Sequence, residues 1–568
     1  MDLTQQAALL VAQLIAPDQP FEVVEAQVLG RRMNVWRNAP GTLADLLTAG
    51  NGWGELPFLV QEAESLSYAD HGRAAASFAR WLVADAGVQP GARIAIAGSN
   101  QILWSVAFWG ASAAGAVVVP LNSWGTGEEL EYEICDSGAT LLIADERRLT
   151  RLLGRLPSGV TVVAMDGPST SHPSAPALAA LADRSAAFVL PEVAVGTDDD
   201  ATIFYTSGTT GRPKGAVGTH RNITTNVMNL LYWGMRAKVL AELNGQVPPT
   251  PAPLQEGALV TVPLFHATGC HATLVTAMVQ GVKLVLLNRF DPDVAVGLIE
   301  DHRLTRLVGV PTTVMAVLDA GLGHDLSSIT YVGYGGSPAP PSLPQRIRQQ
   351  LPQAAMGVGY GLTESSANAT TNIGQEYEDH PDSVGFPCPV IQVVAVDAKG
   401  RTLAAGEVGE LVISGPNVVR GYWNRPQDTA EAFRDGGLRT GDVGYLDSEG
   451  RVYLSDRLKD MVIRGGENVY CAEVEAVLGE HPQVQEAAVI GQPHALLGEE
   501  VTAVISVLAG TVVDVEELQA FARERLAGFK VPTVIRQSFE PLPRTATGKL
   551  LKNQLRTAFL PVAVGADL

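Results

Sequence analysis

Thr202-Ile203-Phe204-Tyr205-Thr206-Ser207-Gly208-Thr209-Thr210-Gly211-Arg212-Pro213-Lys214-Gly215 gathers hydroxyls, glycines and one lysine directly after a short apolar run. Gly208, Gly211 and Gly215 let the backbone approach an anion closely, Thr206, Ser207, Thr209 and Thr210 add hydroxyl donors, and Lys214 adds a point charge. Such a cluster suits a polyphosphate better than a single carboxylate. A hydroxyl-rich stretch between apolar runs is most often an ordinary loop, so residue order has to separate the two readings. The G-x-x-x-x-G-K-[ST] spacing of kinases and GTPases is absent, because Lys214 lies between Pro213 and Gly215.

This stretch resembles the T-S-G-T-T-G-x-P-K-G signature of the adenylate-forming superfamily, which includes acyl-CoA synthetases, aryl-CoA ligases, beetle luciferases and the adenylation domains of peptide synthetases. The chain around it is compatible. A 568-residue sequence with 46% hydrophobic content is long and apolar enough for several domains with large cores. Its net charge of −20 opposes a nucleic-acid partner, since phosphate-backbone binding needs a basic face. Cys135, Cys270, Cys388 and Cys471 are scattered without C-x-x-C pairing, which suggests neither a zinc site nor a disulfide framework and fits a cytoplasmic setting. The first residues carry no basic region of a secretory signal, and Val106 to Leu121 is too short and glycine-broken for a membrane span. That segment reads as a buried helix followed by a buried strand.

From Tyr68 a helix (Asp70 to Ala86) and the strands Arg93–Ala97, Ala116–Pro120, Thr140–Ile143 and Val160–Val163 set up a βαβ rhythm, which implies an α/β fold with mostly parallel sheets flanked by helices. Residues 1 to about 60 read as an amphipathic helix and a Trp-bearing linker. Pro248-Pro249-Thr250-Pro251-Ala252-Pro253 reads as an extended insertion, after which Ala258–Val262 and Lys283–Leu287 resume the alternation. Glycine turns between short strands mark a β-rich subdomain at about 392–455. A compact α+β texture follows, so the division expected is an N-terminal domain at 1–455 and a small C-terminal domain at 456–568.

Further boxes extend the resemblance. Gly333-Tyr334-Gly335-Gly336-Ser337-Pro338 follows the strand-like Ile329–Val332, and Gly359-Tyr360-Gly361-Leu362-Thr363-Glu364 follows about twenty residues later. Neither spells the dinucleotide fingerprint. The resemblance makes Tyr360 an aromatic face for adenine, Thr363 a hydroxyl at the α-phosphate and Glu364 a Mg²⁺ ligand, with Gly335, Gly336, Ser337, Gly359 and Gly361 lining the nucleotide. His266 becomes the residue near the acyl carboxylate, with Thr268, Gly269, Cys270, Gly335 and Tyr334 around the acid pocket. Arg439-Thr440-Gly441-Asp442 matches the box whose aspartate accepts the ribose hydroxyls, although Gly437 stands where tryptophan is usual.

Asp456-Arg457-Leu458-Lys459-Asp460 resembles the family hinge, with Arg457 reaching the nucleotide and Lys459 as the pivot. Gly465, Gly466 and Glu467 resemble the loop that faces coenzyme A, with Cys471 where proline is common. Pro543-Arg544-Thr545-Ala546-Thr547-Gly548-Lys549 matches the terminal signature, which makes Lys549 the mobile catalytic cation beside Thr206, Glu364 and His266. The resemblance therefore implies ATP, Mg²⁺ and coenzyme A, with adenylation of a hydrophobic carboxylic acid, fatty or arylalkanoic, followed by thioester formation. A homodimer is common among such relatives. A stand-alone enzyme loading a carrier protein is the alternative enzyme, disfavoured because only 19 residues follow Lys549. A luciferase-like oxygenase is disfavoured by the Gly465–Asn468 loop, and a non-catalytic nucleotide-binding protein by motifs that are intact.

Overall fold

The computed structural model describes residues 3–206, 212–245, 255–337, 339–340, 342–458, 460–465, 467–494, 496–507, 511–544 and 550–559. Two sheets form the large N-terminal part. One has six strands in the order Lys214–Thr219, Asp200–Thr206, Val117–Pro120, Arg93–Ala97, Leu141–Ala144, Thr161–Ala164. All neighbours are parallel except the first pair, which is an antiparallel hairpin.

The second sheet runs continuously from Gln392–Val396 to Glu64–Ser67. Its middle is parallel, comprising Ala355–Tyr360, Tyr331–Gly335, Arg306–Gly309, Gly257–Val260, Lys283–Leu286 and Pro57–Gln61. Antiparallel strands flank it on both sides. Pairing of Ser383 with Tyr453 stitches the glycine-turn strands after residue 392 onto this sheet, so the β-rich texture continues it.

The βαβ reading holds in this region, and the helix Ile102–Ala113 with the strand Val117–Pro120 is buried as expected. Every side of that helix is apolar, which leaves no face for water. Trp104, Phe108 and Trp109 inside it are fully buried, and Tyr68 and Phe78 of the helix Tyr68–Ala84 join the same core.

One local expectation fails. The segment read as a linker contains the hairpin Val23–Val28/Arg31–Trp36, the helix Leu43–Asn51 and the strand Pro57–Gln61, which pairs with Lys283–Leu286. The hairpin is local, with Val28 opposite Arg31, whereas the pairing of Pro57–Gln61 with Lys283–Leu286 spans more than two hundred residues, where local patterning carries no signal. Gly333, Tyr334 and Gly335, which follow the strand-like Ile329–Val332, lie inside the strand Tyr331–Gly335. Side chains at the two glycines would collide with Tyr331 and with the Gly359 carbonyl, so packing selects them.

After Arg457 the chain enters a third sheet, Glu467–Val469, Val462–Arg464, Gly498–Val507 and Val484–His494, with Val534–Ser538 pairing parallel to Gly498–Val507. The helices Cys471–Gly479 and Val515–Arg523 give Val474, Leu478 and Leu518 to its core. The Pro248–Pro253 insertion lies outside the described residues.

Candidate active site

Thr206 and Lys214 face each other across the hairpin, and the Thr206 hydroxyl donates to the Lys214 carbonyl at 3.4 Å. Ser207, Gly208, Thr209, Thr210 and Gly211 lie outside the described residues. The hairpin is held from the side by Arg420–Trp423, with Val217 N–H donating to Gly421 O at 2.9 Å and Trp423 N–H to Gly215 O at 2.7 Å. A bidentate Arg420–Asp200 pair fixes that segment, and Gly215 is required because a Cβ there would sit 2.6 Å from Ile203.

Tyr422 is therefore carried to the mouth of the hairpin. Its hydroxyl donates to Glu364 Oε1 at 2.7 Å, and the Lys214 ammonium lies 5.5 Å from its ring centre while pairing with Asp428. The structure thus gathers Thr206, Lys214 and Glu364 through Tyr422, to which the sequence reading gave no role.

Gly359 pairs in register with Gly335, and the chain turns after Tyr360 into the single helical turn Thr363–Ser365. That turn is tight: a Cβ at Gly361 would lie 2.3 Å from Ala367 O, and Ser366 and Ala367 adopt φ of 57° and 93°. Left-handed backbone at two non-glycine residues beside Glu364 is strain concentrated at the site. Asp442, only 4% exposed, accepts from the Tyr360 hydroxyl at 2.8 Å on Oδ2 and meets Arg457 Nε at 3.0 Å on Oδ1. Gly441 at φ 70° makes the bend before it. Tyr360, expected to offer its face to adenine, is 8% exposed in a core cluster with its hydroxyl committed to Asp442. That hydroxyl holds one oxygen of the carboxylate in place.

His266 follows the strand Gly257–Val260. Its Nε2 is buried with no hydrogen-bond partner among the described residues, and burial lowers its pKa to about 4. Next comes a π-helix, Thr268–Val275, a local geometry frequent at functional sites. Gly269 is obligatory there, since a Cβ would meet Pro263 O at 2.2 Å. Cys270 is sealed, its N–H on His266 O at 2.8 Å and its thiol pushed up by burial. Thr268 is exposed. Tyr334 is not brought to this group: it packs on the other face of its strand with Val332 and Met356, its hydroxyl bonded to that of Tyr377. Gly336, at φ 78°, and Ser337 continue from the end of that strand.

In the C-terminal part Gly465 turns at φ 62° with its N–H on Leu497 O at 2.7 Å, and Glu467 is exposed on the strand after it. Lys459, Gly466 and Lys549 lie outside the described residues. Among the described residues no cluster of three or more His, Cys, Asp or Glu could cage a metal. Magnesium does not need one, because it commonly takes one or two carboxylates and completes its shell with water and substrate phosphate. Glu364, with one oxygen engaged by Tyr422, fits that use. No helix among the described residues is long and apolar enough to cross a membrane.

Residues 47–423 match the AMP-binding enzyme family and residues 473–549 the AMP-binding enzyme C-terminal domain. A feruloyl-CoA synthase of Amycolatopsis sp is 37% identical over 505 residues, covering 87% of this chain and 94% of that protein. A long-chain-fatty-acid–CoA ligase of Bacillus subtilis is 34% identical, covering 83% and 86%. Among solved structures, ATP-bound MatB from Rhodopseudomonas palustris superposes with a TM-score of 0.77 at 29% identity, covering 90% and 98%. The o-succinylbenzoate CoA synthetase of Bacillus subtilis, bound to its acyl-adenylate, superposes with 0.75 at 28%, covering 91% and 98%. With this site and these matches over most of its length, the chain is an enzyme of the AMP-binding, adenylate-forming family.

Proposed function

We propose that the protein is an ATP-dependent acid–CoA ligase that joins a hydrophobic carboxylic acid to AMP, releases pyrophosphate, and passes the acyl group to the sulfur of coenzyme A. The observation that supports it best is a chain of contacts at the motif residues: Thr206 bonds to Lys214, the Lys214 ammonium lies over the Tyr422 ring whose hydroxyl donates to Glu364, and four residues before Glu364 the Tyr360 hydroxyl donates to Asp442, which pairs with Arg457. The acid carboxylate attacks the α-phosphorus and forms a C–O–P link, and the electron pair of the broken P–O bond leaves with pyrophosphate. Catalysis of this kind rests on positioning and charge stabilisation. Magnesium held by Glu364 would supply countercharge on the phosphates.

In this reading Asp442 accepts the ribose hydroxyls, Thr206 and Lys214 bind departing phosphates once Lys214 exchanges Asp428 for them, and Thr363 faces the α-phosphate. His266, neutral at physiological pH, sits beside the acid without adding charge to its carboxylate. Lys549 supplies the mobile cation. The small domain turns about Lys459 to exchange Lys549 for the Gly465–Glu467 loop, and coenzyme A then displaces AMP. Pyrophosphate release tests the first half, and thioester formation with coenzyme A the second. A protein that releases pyrophosphate yet forms no thioester with coenzyme A, but acylates a carrier protein, refutes the ligase assignment.

A further inference from the structure

Resting on that reading, we infer that Tyr331 is the end wall of the acid channel, and that the enzyme selects acids whose apolar part is a single aromatic ring over long acyl chains. Residues paired in register across parallel strands share a face. Arg306 pairs with Tyr331 and Tyr331 with Ala355; Val308 pairs with Gly333 and Gly333 with Gly357; Gly335 pairs with Gly359. This face is continuous, through Ala258 paired with Arg306, with the one on which Cys270, Leu274 and Val275 of the π-helix pack. The track of four glycines therefore looks toward the helix that starts just after His266.

One observation independent of the glycines marks open space there. Val308 and Tyr331 are half-buried, whereas Leu307 and Val332, facing the opposite way, are fully buried.

The Tyr331 ring folds along the track. A Cβ on Gly333 would lie 2.8 Å from its ring, and one on Gly357 would lie 2.6 Å from its hydroxyl oxygen. Behind it Arg306 Nη1 donates to Gln280 Oε1 at 2.8 Å and ties the strand to the helix Thr276–Gln280. The deep end is closed by a ring and a hydrogen-bonded bridge. Only the Gly335/Gly359 row and the approach to the Gly333/Gly357 row stay uncovered, two residues of strand or about 7 Å. That length takes one flat ring. A long chain would have to pass through Tyr331.

The test is kcat/KM, read by pyrophosphate release, for cinnamate and dodecanoate with the wild type, Tyr331→Ala and Tyr331→Phe. The wild type should prefer cinnamate by at least about tenfold, the lower range of discrimination available to an apolar pocket. Tyr331→Ala should raise the dodecanoate-to-cinnamate ratio about tenfold or more, and Tyr331→Phe, which keeps the ring, should leave it unchanged. If Tyr331→Ala does not fold, Tyr331→Leu should move the ratio in the same direction. A wild-type preference for dodecanoate, or a ratio that Tyr331→Ala and Tyr331→Leu leave in place, overturns the inference while adenylation stands. No pyrophosphate release with either acid, or with any other carboxylic acid, overturns both readings.

Discussion

Replacing Asp442 by Asn tests the nucleotide site where its geometry is most fully determined. The carboxylate is 4% exposed, with Oδ2 on the Tyr360 hydroxyl at 2.8 Å and Oδ1 against Arg457 Nε at 3.0 Å. Asparagine keeps the shape, removes the charge and turns one acceptor into a donor, which must then face a hydroxyl or a guanidinium. A hydrogen bond to a charged group is worth about 1.5–3 kcal/mol net. Allowing for the amide oxygen that remains, loss of the charged contacts to the two ribose hydroxyls should total about 3 kcal/mol, or roughly a hundredfold in nucleotide affinity. The free protein should lose less, because Arg457 is about one-third exposed and water can replace its partner. The assay is the denaturation midpoint with and without AMP at a hundred times the wild-type Kd. Wild type should gain about 2.7 kcal/mol and the variant about 0.4 kcal/mol. Equal gains would refute the ribose assignment even if the variant were less stable without ligand.

His71, His220, His266 and His271 are held at pKa values of about 3, 4, 4 and 3, in each case chiefly by burial. An unfolded histidine titrates near 6.5, so between roughly pH 6.5 and 4 the unfolded chain binds more protons and stability should fall as pH falls. Glu133, raised to about 8 by burial, acts in the opposite sense above its ordinary range but is one group against four. A denaturation midpoint that is flat from pH 7 to 5 would contradict this. His266→Ala should raise the apparent KM for the acid about tenfold and leave AMP binding near wild type; equal effects on both would return His266 to a purely structural role. Lys549→Ala should slow adenylation by roughly two orders of magnitude, about 3 kcal/mol, and spare conversion of supplied acyl-adenylate to thioester. Lys459→Pro should do the reverse, and rapid-quench measurement of each half-reaction decides between them.

The sequence made the βαβ core legible because the strands Arg93–Ala97, Val117–Pro120 and Leu141–Ala144 are short apolar runs separated by helical segments of ordinary length. It hid the strand Pro57–Gln61, which pairs locally with Glu64–Ser67 but is placed in the sheet by Lys283–Leu286, more than two hundred residues away. Motif order located Asp442, Glu364 and the hairpin. It did not reveal the purpose of Tyr422 or the burial of Tyr360, since a motif names a residue without its direction. Tyr334 shows the same limit: strand alternation sends it to the core beside Tyr377, and the opposite face goes to Gly333 and Gly335. The missed signal was the period of two within Tyr331-Val332-Gly333-Tyr334-Gly335, legible only once the segment is taken as strand.

The same period explains why the two parts of the chain meet at one carboxylate. In the strand Val452–Arg457, Arg457 pairs with Asp442, so the preceding residue, Asp456, must point to the other face. There it accepts from the Cys471 N–H at the start of the helix Cys471–Gly479, where the positive end of the helix dipole favours a carboxylate. Burial raises the Asp456 pKa, and Lys552, paired with Glu475 at 2.6 Å, opposes that shift from the helix Lys552–Phe559. The Cys471 thiol donates to Asp460 O at 2.8 Å, which fixes the chain just past the proposed pivot. A proline at position 471 could make neither the N–H nor the thiol contact. The proposed turn of the small domain about Lys459 would therefore uncap this helix and return a buried carboxylate to water, and a non-proline residue at 471 supplies the N–H bond while its thiol adds a second that holds the orientation seen here.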